Sequence, residues 1–138
     1  MRLPQRLRTF CFLFAFLGCH HLGLAEPPYP EAPFVVPMAA DGVQRATIIL
    51  DSYSYQPSHL IVEAGKPVEL ILKSETFLIP HNFIIKELLI DEDVSAGESV
   101  VINFMPTARG TFPIYCDKRL WPLPSHREKG MEGTLEVR

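Results

Sequence analysis

The stretch Gly110-Thr-Phe-Pro-Ile-Tyr-Cys116, with His126-Arg-Glu-Lys-Gly-Met131-Glu-Gly133-Thr-Leu-Glu-Val137 after it, decides the reading of this chain. Thr111–Tyr115 and Thr134–Val137 both alternate in the manner of half-buried strands. The loop between them carries one cysteine, one histidine and one methionine. A second histidine stands upstream in Pro80-His81-Asn82-Phe83. His81, Cys116, His126 and Met131 thus offer two imidazoles, one thiolate and one weak thioether. That donor set suits copper: thiolate favours the soft reduced ion, imidazole suits both oxidation states, and a distant thioether penalises neither.

Outward from this loop the punctuation is that of an all-β domain. Ala46-Thr-Ile-Ile-Leu50 is apolar and β-branched, and Ser52-Tyr-Ser-Tyr-Gln-Pro57 reads as a turn-rich connection. His59–Glu63 and Val68–Lys73 alternate on either side of the turn Ala64-Gly65-Lys66-Pro67. His81–Ile85 and Glu98–Phe104 follow as further strands. Glu87–Asp93 fits either a strand or a helical turn, and the pattern leaves both open. Short strands between turn signals predict a β-sandwich or a barrel.

The 138-residue chain opens on a basic stretch with Arg2, Arg6 and Arg8, continues with the apolar run Phe10–Leu17, and then shows Gly23-Leu24-Ala25. This is the three-part layout of a secretory signal peptide over residues 1–25. The apolar run is shorter than the roughly 17–25 residues a spanning helix needs. Cleavage after Ala25 is favoured. Phe16-Leu17-Gly18-Cys19 loosely resembles a lipoprotein signal, so a membrane partner enters only through lipidation at Cys19. Export to the periplasm is expected. Loss of Arg2, Arg6 and Arg8 takes the formal charge from −3 to about −6, an acidic balance that argues against nucleic-acid binding. It also leaves Cys116 as the single cysteine, which cannot form an internal disulfide. A lone thiol in an oxidising compartment is a liability unless something occupies it. Residues 26–43, rich in proline, read as an extended tether, part of which (Phe34-Val35-Val36) is able to pair as an edge. Residues 44–138 form the predicted domain.

In the order His, Cys, His, Met at strand ends, with Pro80-His81-Asn82, Gly110-Thr-Phe…Tyr115-Cys116 and His126-x4-Met131-x-Gly133, the chain resembles the cupredoxins, and plastocyanin most. The resemblance covers about residues 45–138 and implies a Greek-key β-sandwich. It implies one copper ion held by His81, Cys116, His126 and Met131, with Asn82 supporting the ligand loop without touching metal. It also implies a one-electron carrier between redox proteins and not an enzyme. A copper carrier or chaperone, and a copper site with an open catalytic position, are the rival readings. One departure stands out: Asp117-Lys-Arg-Leu-Trp-Pro-Leu-Pro-Ser125 separates the cysteine from the second histidine, where plastocyanin has a very short loop. The expectation is that it bulges outward and returns His126 to the site. The alternatives are a displaced His126, or Asp117 or Glu128 as ligand. A binuclear centre would want a second cysteine here.

Other residues take plainer readings. His59 is a surface histidine, Met38 and Met105 are packing residues, and Asp91-Glu92-Asp93 is a solvated turn. Cys116 with His126 as nucleophile and base would leave His81 and Met131 unexplained. Zinc competes for a Cys/His₂ set in vitro. Trp121 either packs the sandwich end or forms an apolar docking patch. Lys118, Arg119, Arg127 and Lys129 form a basic rim on an acidic protein, suited to steering a redox partner protein.

Overall fold

A computed structural model describes residues 32–138. The signal-peptide reading, including Cys19 and Ala25, lies outside the described residues. Among the described residues there are ten strands: β1 (Phe34–Val35), β2 (Gln44–Asp51), β3 (Ser54–Gln56), β4 (His59–Val62), β5 (Val68–Ser74), β6 (His81–Ile85), β7 (Ile90–Val94), β8 (Ser99–Phe104), β9 (Gly110–Tyr115) and β10 (Glu132–Val137). They form a six-stranded sheet in the order β1-β4-β10-β9-β6-β7 and a four-stranded sheet in the order β3-β2-β5-β8. The architecture is the Greek-key sandwich that the resemblance implies, one of the two forms left open by the alternation and turn spacing.

The period-two pattern builds the core directly. Ile48 and Leu50 of β2, and Val68, Leu70 and Leu72 of β5, are buried, while Glu69, Ile71 and Lys73 turn outward. Leu60, Phe83, Ile85, Ile114 and Leu135 close the core from the facing sheet. Each such side chain, fully buried, contributes about 1.5–3 kcal/mol. Strand β6 is buried along its whole length because β9 and β7 flank it in the sheet.

Two open readings are settled and two others change. Part of the expected tether is built into the sandwich: β1 pairs in parallel with β4, Val36 is buried, and Met38 bridges to Gln44. The packed unit therefore begins before residue 44, because an apolar Phe-Val-Val run has an unpaired β4 edge to satisfy. The segment 87–93 is both of its alternatives: a 3₁₀ turn at Lys86–Leu88 closes on Leu89 at φ 56°, and β7 follows. The supposed connection at Ser52–Pro57 contains β3, which buries Tyr55 and donates its hydroxyl to the Asn82 carbonyl at 2.6 Å. Met38 and Met105 are exposed and pack no core.

Candidate metal centre

The topology delivers the donors to one pole. His81 opens β6, Cys116 follows the last residue of β9, and Met131 immediately precedes β10. Ile84 pairs antiparallel with Tyr115, so the chain leaving β9 at Cys116 runs back alongside β6 towards His81. The Asn82 amide reaches Cys116 Sγ at 3.4 Å. His126 enters from a 3₁₀ turn, Arg127–Lys129, that ends at Gly130 with φ 98°, a left-handed conformation glycine adopts without penalty.

Backbone hydrogen bonds close the long loop at its base. His126 N donates to Lys118 O at 2.8 Å, Met131 N to His126 O at 2.9 Å, and Cys116 N to Met131 O at 3.2 Å. The intervening residues bulge outward, leaving Leu120 and Trp121 75% and 82% exposed. Trp121 therefore does not pack the sandwich end. Asp117 and Glu128 do not replace the histidine. Asp117 exchanges two hydrogen bonds with Asn82, accepting from Nδ2 at 2.9 Å and donating its amide to Oδ1 at 3.1 Å. Glu128 accepts from Ser125 N, Ser125 Oγ and Arg119 Nη2 at 2.6, 2.7 and 2.8 Å.

One donor atom each from His81, Cys116 and His126 lies within 4.8 Å of the others. Cys116 Sγ stands 3.4 Å from His126 Nδ1, and the two imidazole centroids are 5.1 Å apart. His81, Cys116 and Met131 are fully buried, and His126 is 8% exposed. Both ring nitrogens of His81 are buried without a hydrogen-bond partner. A buried imidazole with neither nitrogen satisfied is costly, and a metal ion would satisfy one. Burial, with a smaller contribution from the charge of His126, lowers the His81 pKa to about 4. Burial also lowers that of His126, helped by Lys129. The Cys116 thiol is pushed up by burial, against the opposing pull of the Asn82 and Lys118 amides. Those amides are placed to stabilise a thiolate once a cation removes its proton. The imidazoles stay neutral, the state in which they ligate metal.

Two features escaped the sequence reading. Phe77 and Leu78, 90% and 79% exposed, project from the loop before His81, which Thr76 fixes through its hydroxyl bond to Ile79 O. Leu78, with Pro80, Leu120, Leu123 and Pro124, gives the pole an apolar collar around a groove of about 420 Å³ that reaches His126. Tyr53, from the β2–β3 corner, packs edge-on against His126, centroids 5.2 Å apart. A tyrosine in a polar turn carries no ligand pattern to flag it. The basic rim is largely paired: Lys118 with Asp93 at 2.6 Å, Arg119 with Glu128 at 2.8 Å, and Arg127 with Glu132 at 2.6 Å. His59 is half-buried and faces Glu136 at 3.4 Å, remote from the donor cluster.

A two-sheet Greek-key sandwich holding a buried Cys/His₂ set at one pole, with a methionine closing the loop, defines a cupredoxin. The chain matches the family model described as the cupredoxin-like domain over residues 10–135, and it belongs to that family. No curated protein matches the chain by sequence. Among solved structures it is similar to the metal-binding domain of the Cu(I)-exporting P-type ATPase CopA of Streptococcus pneumoniae D39, solved with Cu(I). That match has 20% identity, covers 78% of this chain and 97% of that one, and has a TM-score of 0.61. Dithionite-reduced auracyanin from Roseiflexus castenholzii matches at 18% identity over 68% and 96% of the two chains, TM-score 0.57. Auracyanin A, a blue copper protein from Chloroflexus aurantiacus, matches at 18% identity over 70% and 100%, TM-score 0.56. At these identities the likeness is one of fold. The donor set itself makes copper the fitting ion.

Proposed function

We propose that His81, Cys116 and His126 hold one copper ion, with Met131 as a weak fourth ligand, and that the protein is an exported one-electron carrier rather than an enzyme. The ion would supply a reversible Cu(I)/Cu(II) couple. The chain supplies a donor cluster carried at the ends of three strands of one sheet, so little rearranges between the two states. The observation that carries the reading is the graded burial of the ligands: three are sealed in the sandwich, and only the His126 edge meets the apolar groove. Such an edge gives an electron a short exit while keeping solvent and small molecules from the ion. The exposed apolar side chains Phe77, Leu78, Leu120 and Trp121 form the proposed docking surface for a redox partner protein, since exposed apolar patches commonly mark interfaces. The basic rim plays the smaller part, because three of its four cations already face carboxylates. The N-terminal pattern of residues 1–25 supports export, with the periplasm as the compartment.

The test is a visible spectrum and a redox titration of the purified protein loaded with copper. An intense thiolate charge-transfer band with reversible one-electron cycling is expected. Tight Cu(I) binding without that band would transfer the assignment to copper delivery. A spectrum that shifts with added azide would transfer it to an open catalytic position.

A further inference from the structure

A histidine that follows its cysteine closely has few backbone conformations open to it. His126 follows nine intervening residues, 117–125, and so needs restraint from elsewhere. The β2–β3 corner supplies a candidate. Tyr53 meets the His126 ring edgewise, at 5.2 Å and 73°, while His81 flanks the same ring at 5.1 Å. The Tyr53 hydroxyl accepts a hydrogen bond from Lys129 Nζ at 2.9 Å, and the Lys129 amide donates to His126 O at 3.1 Å. Lys129 is therefore tied to His126 through the backbone and to Tyr53 through its side chain, closing a ring of three contacts. The corner is itself held: Ser52 sits at φ 43°, a conformation a non-glycine residue adopts only when its surroundings enforce it, and Ser54 Oγ donates to Asp51 O at 3.1 Å.

We propose that Tyr53 and Lys129 form a bracket that orients the His126 imidazole toward the copper ion, replacing the restraint that a short ligand loop would provide. Both are positioning residues: neither offers a donor to the cluster, and they act through the ring and the turn of His126. The inference rests on the copper reading above and extends it to residues outside the ligand set. Other turns of the pole lack this arrangement of a ring on the ligand and a cation on the ring among the described residues.

The experiment compares the copper-loaded full chain with Tyr53→Ala, Tyr53→Phe and Lys129→Met. It reads the energy of the thiolate charge-transfer band, the rate of copper loss to a chelator, and the melting temperature of the metal-free forms. Tyr53→Ala should release copper about 10-fold faster, as expected when a contact orienting a ligand is removed, and should shift the band. Tyr53→Phe keeps the ring edge and the Lys129 ammonium 4.3 Å from the ring centroid but loses the hydroxyl hydrogen bond, so its release should fall between the parent's and that of Lys129→Met, which should be roughly 3-fold faster than the parent. The metal-free melting temperatures of these last two should equal the parent's. If the parent binds no copper, the copper reading itself fails. If the parent binds copper and all three variants share its band and release rate, the bracket is overturned. It is equally overturned if only Tyr53→Ala changes release and does so in step with a lowered metal-free melting temperature. Should Tyr53→Ala not fold, Tyr53→Phe and Lys129→Met decide the question.

Discussion

Cys116 Sγ and His126 Nδ1 stand 3.4 Å apart although the residues are ten positions apart in sequence. The approach is made by the backbone: Lys118 O, Met131 N and Met131 O stitch the two ends of the loop together beneath its bulge. An enlarged loop is thermodynamically cheap, since loop-closure entropy grows only with the logarithm of length. The extra residues therefore alter the surface of the pole while leaving the donors in place. What they add is Leu120, Trp121 and Leu123 around the His126 edge.

Removing the thiolate should remove the colour. Cys116→Ala should abolish the intense charge-transfer band, and His81→Ala should weaken copper binding by 10-fold or more, an order of magnitude typical for disturbed metal sites. Met131→Leu should retain copper and raise the reduction potential, because a weak axial ligand tunes more than it holds. Spectra and potentials of the three variants check this; an unchanged band in Cys116→Ala would sink the centre as drawn.

The strand alternation made an all-β sandwich readable before any coordinates, and the donor order singled out His81, Cys116 and His126, whose donor atoms gather within 4.8 Å. Val68–Ser74 shows in seven residues which side chains face the core. Other features were illegible for physical reasons. Tyr53 acts through a packing geometry created by tertiary contacts 73 residues away from His126, and a tyrosine between two serines looks like any turn. The pairing of Lys118 with Asp93 depends on the loop lying against β7, which charge counting does not show. Phe77 and Leu78 lie between the predicted strands Val68–Lys73 and His81–Ile85, where no periodicity tells which way they face, and the turn before His81 leaves them exposed to solvent.

Copper uptake should displace about one proton per ion at pH 7.5. Burial keeps the Cys116 thiol protonated there, whereas His81, with a pKa near 4, and His126, also lowered, are already neutral. Anaerobic titration with Cu(I) in buffers of different ionisation enthalpy measures the release. Cys116→Ala should bring it close to zero; release of two protons or more would mean that an imidazole is charged before binding.

The metal-free protein should lose stability as the pH falls from 6.5 towards 4. The folded-state pKa of His81 lies below the ordinary histidine value of 6.5, so the unfolded chain takes up its proton first. The stability is full above about pH 6.5, declines through the interval and levels off once the folded form also protonates. The loss by pH 4 is on the order of 2–3 kcal/mol. Urea unfolding of the metal-free protein at pH 7.5 and 5 checks this against His81→Gln, whose profile should be flatter. Parallel profiles would assign the effect to the carboxylates.

Partner docking should depend on apolar side chains more than on charge. Trp121→Ser combined with Leu78→Ser should slow second-order electron transfer to a partner by about 10-fold or more, each lost anchor being worth 1 kcal/mol or above at a typical interface. Reversing Lys118 and Arg119 should do less, and that effect should fade near 0.15 M salt, where the screening length is about 8 Å. Stopped-flow rates as a function of ionic strength separate the two. A larger loss from charge reversal than from the apolar pair would restore the rim as the main determinant.

Gly133 is where the site is most sensitive to a single methyl group. A Cβ placed there would lie 2.5 Å from Ser58 O and 3.5 Å from the Ile114 side chain. The closer neighbour is backbone, and it cannot rotate away, because the same carbonyl accepts the Thr134 amide at 2.7 Å. Relief therefore requires β10 to shift against β4, with which it pairs from Thr134 to Val137. Met131 stands two residues before Gly133, and its carbonyl holds the Cys116 amide, so a displaced β10 start moves the ligand loop with it. Gly133→Ala should cost about 1–3 kcal/mol, the range for overpacked sites. It should also weaken the thiolate band, which a purely surface change would not. Urea unfolding of the metal-free form together with the copper spectrum tests both halves. A stable variant with an unaltered band would show that the β4–β10 contact has slack that a 2.5 Å spacing to Ser58 O denies.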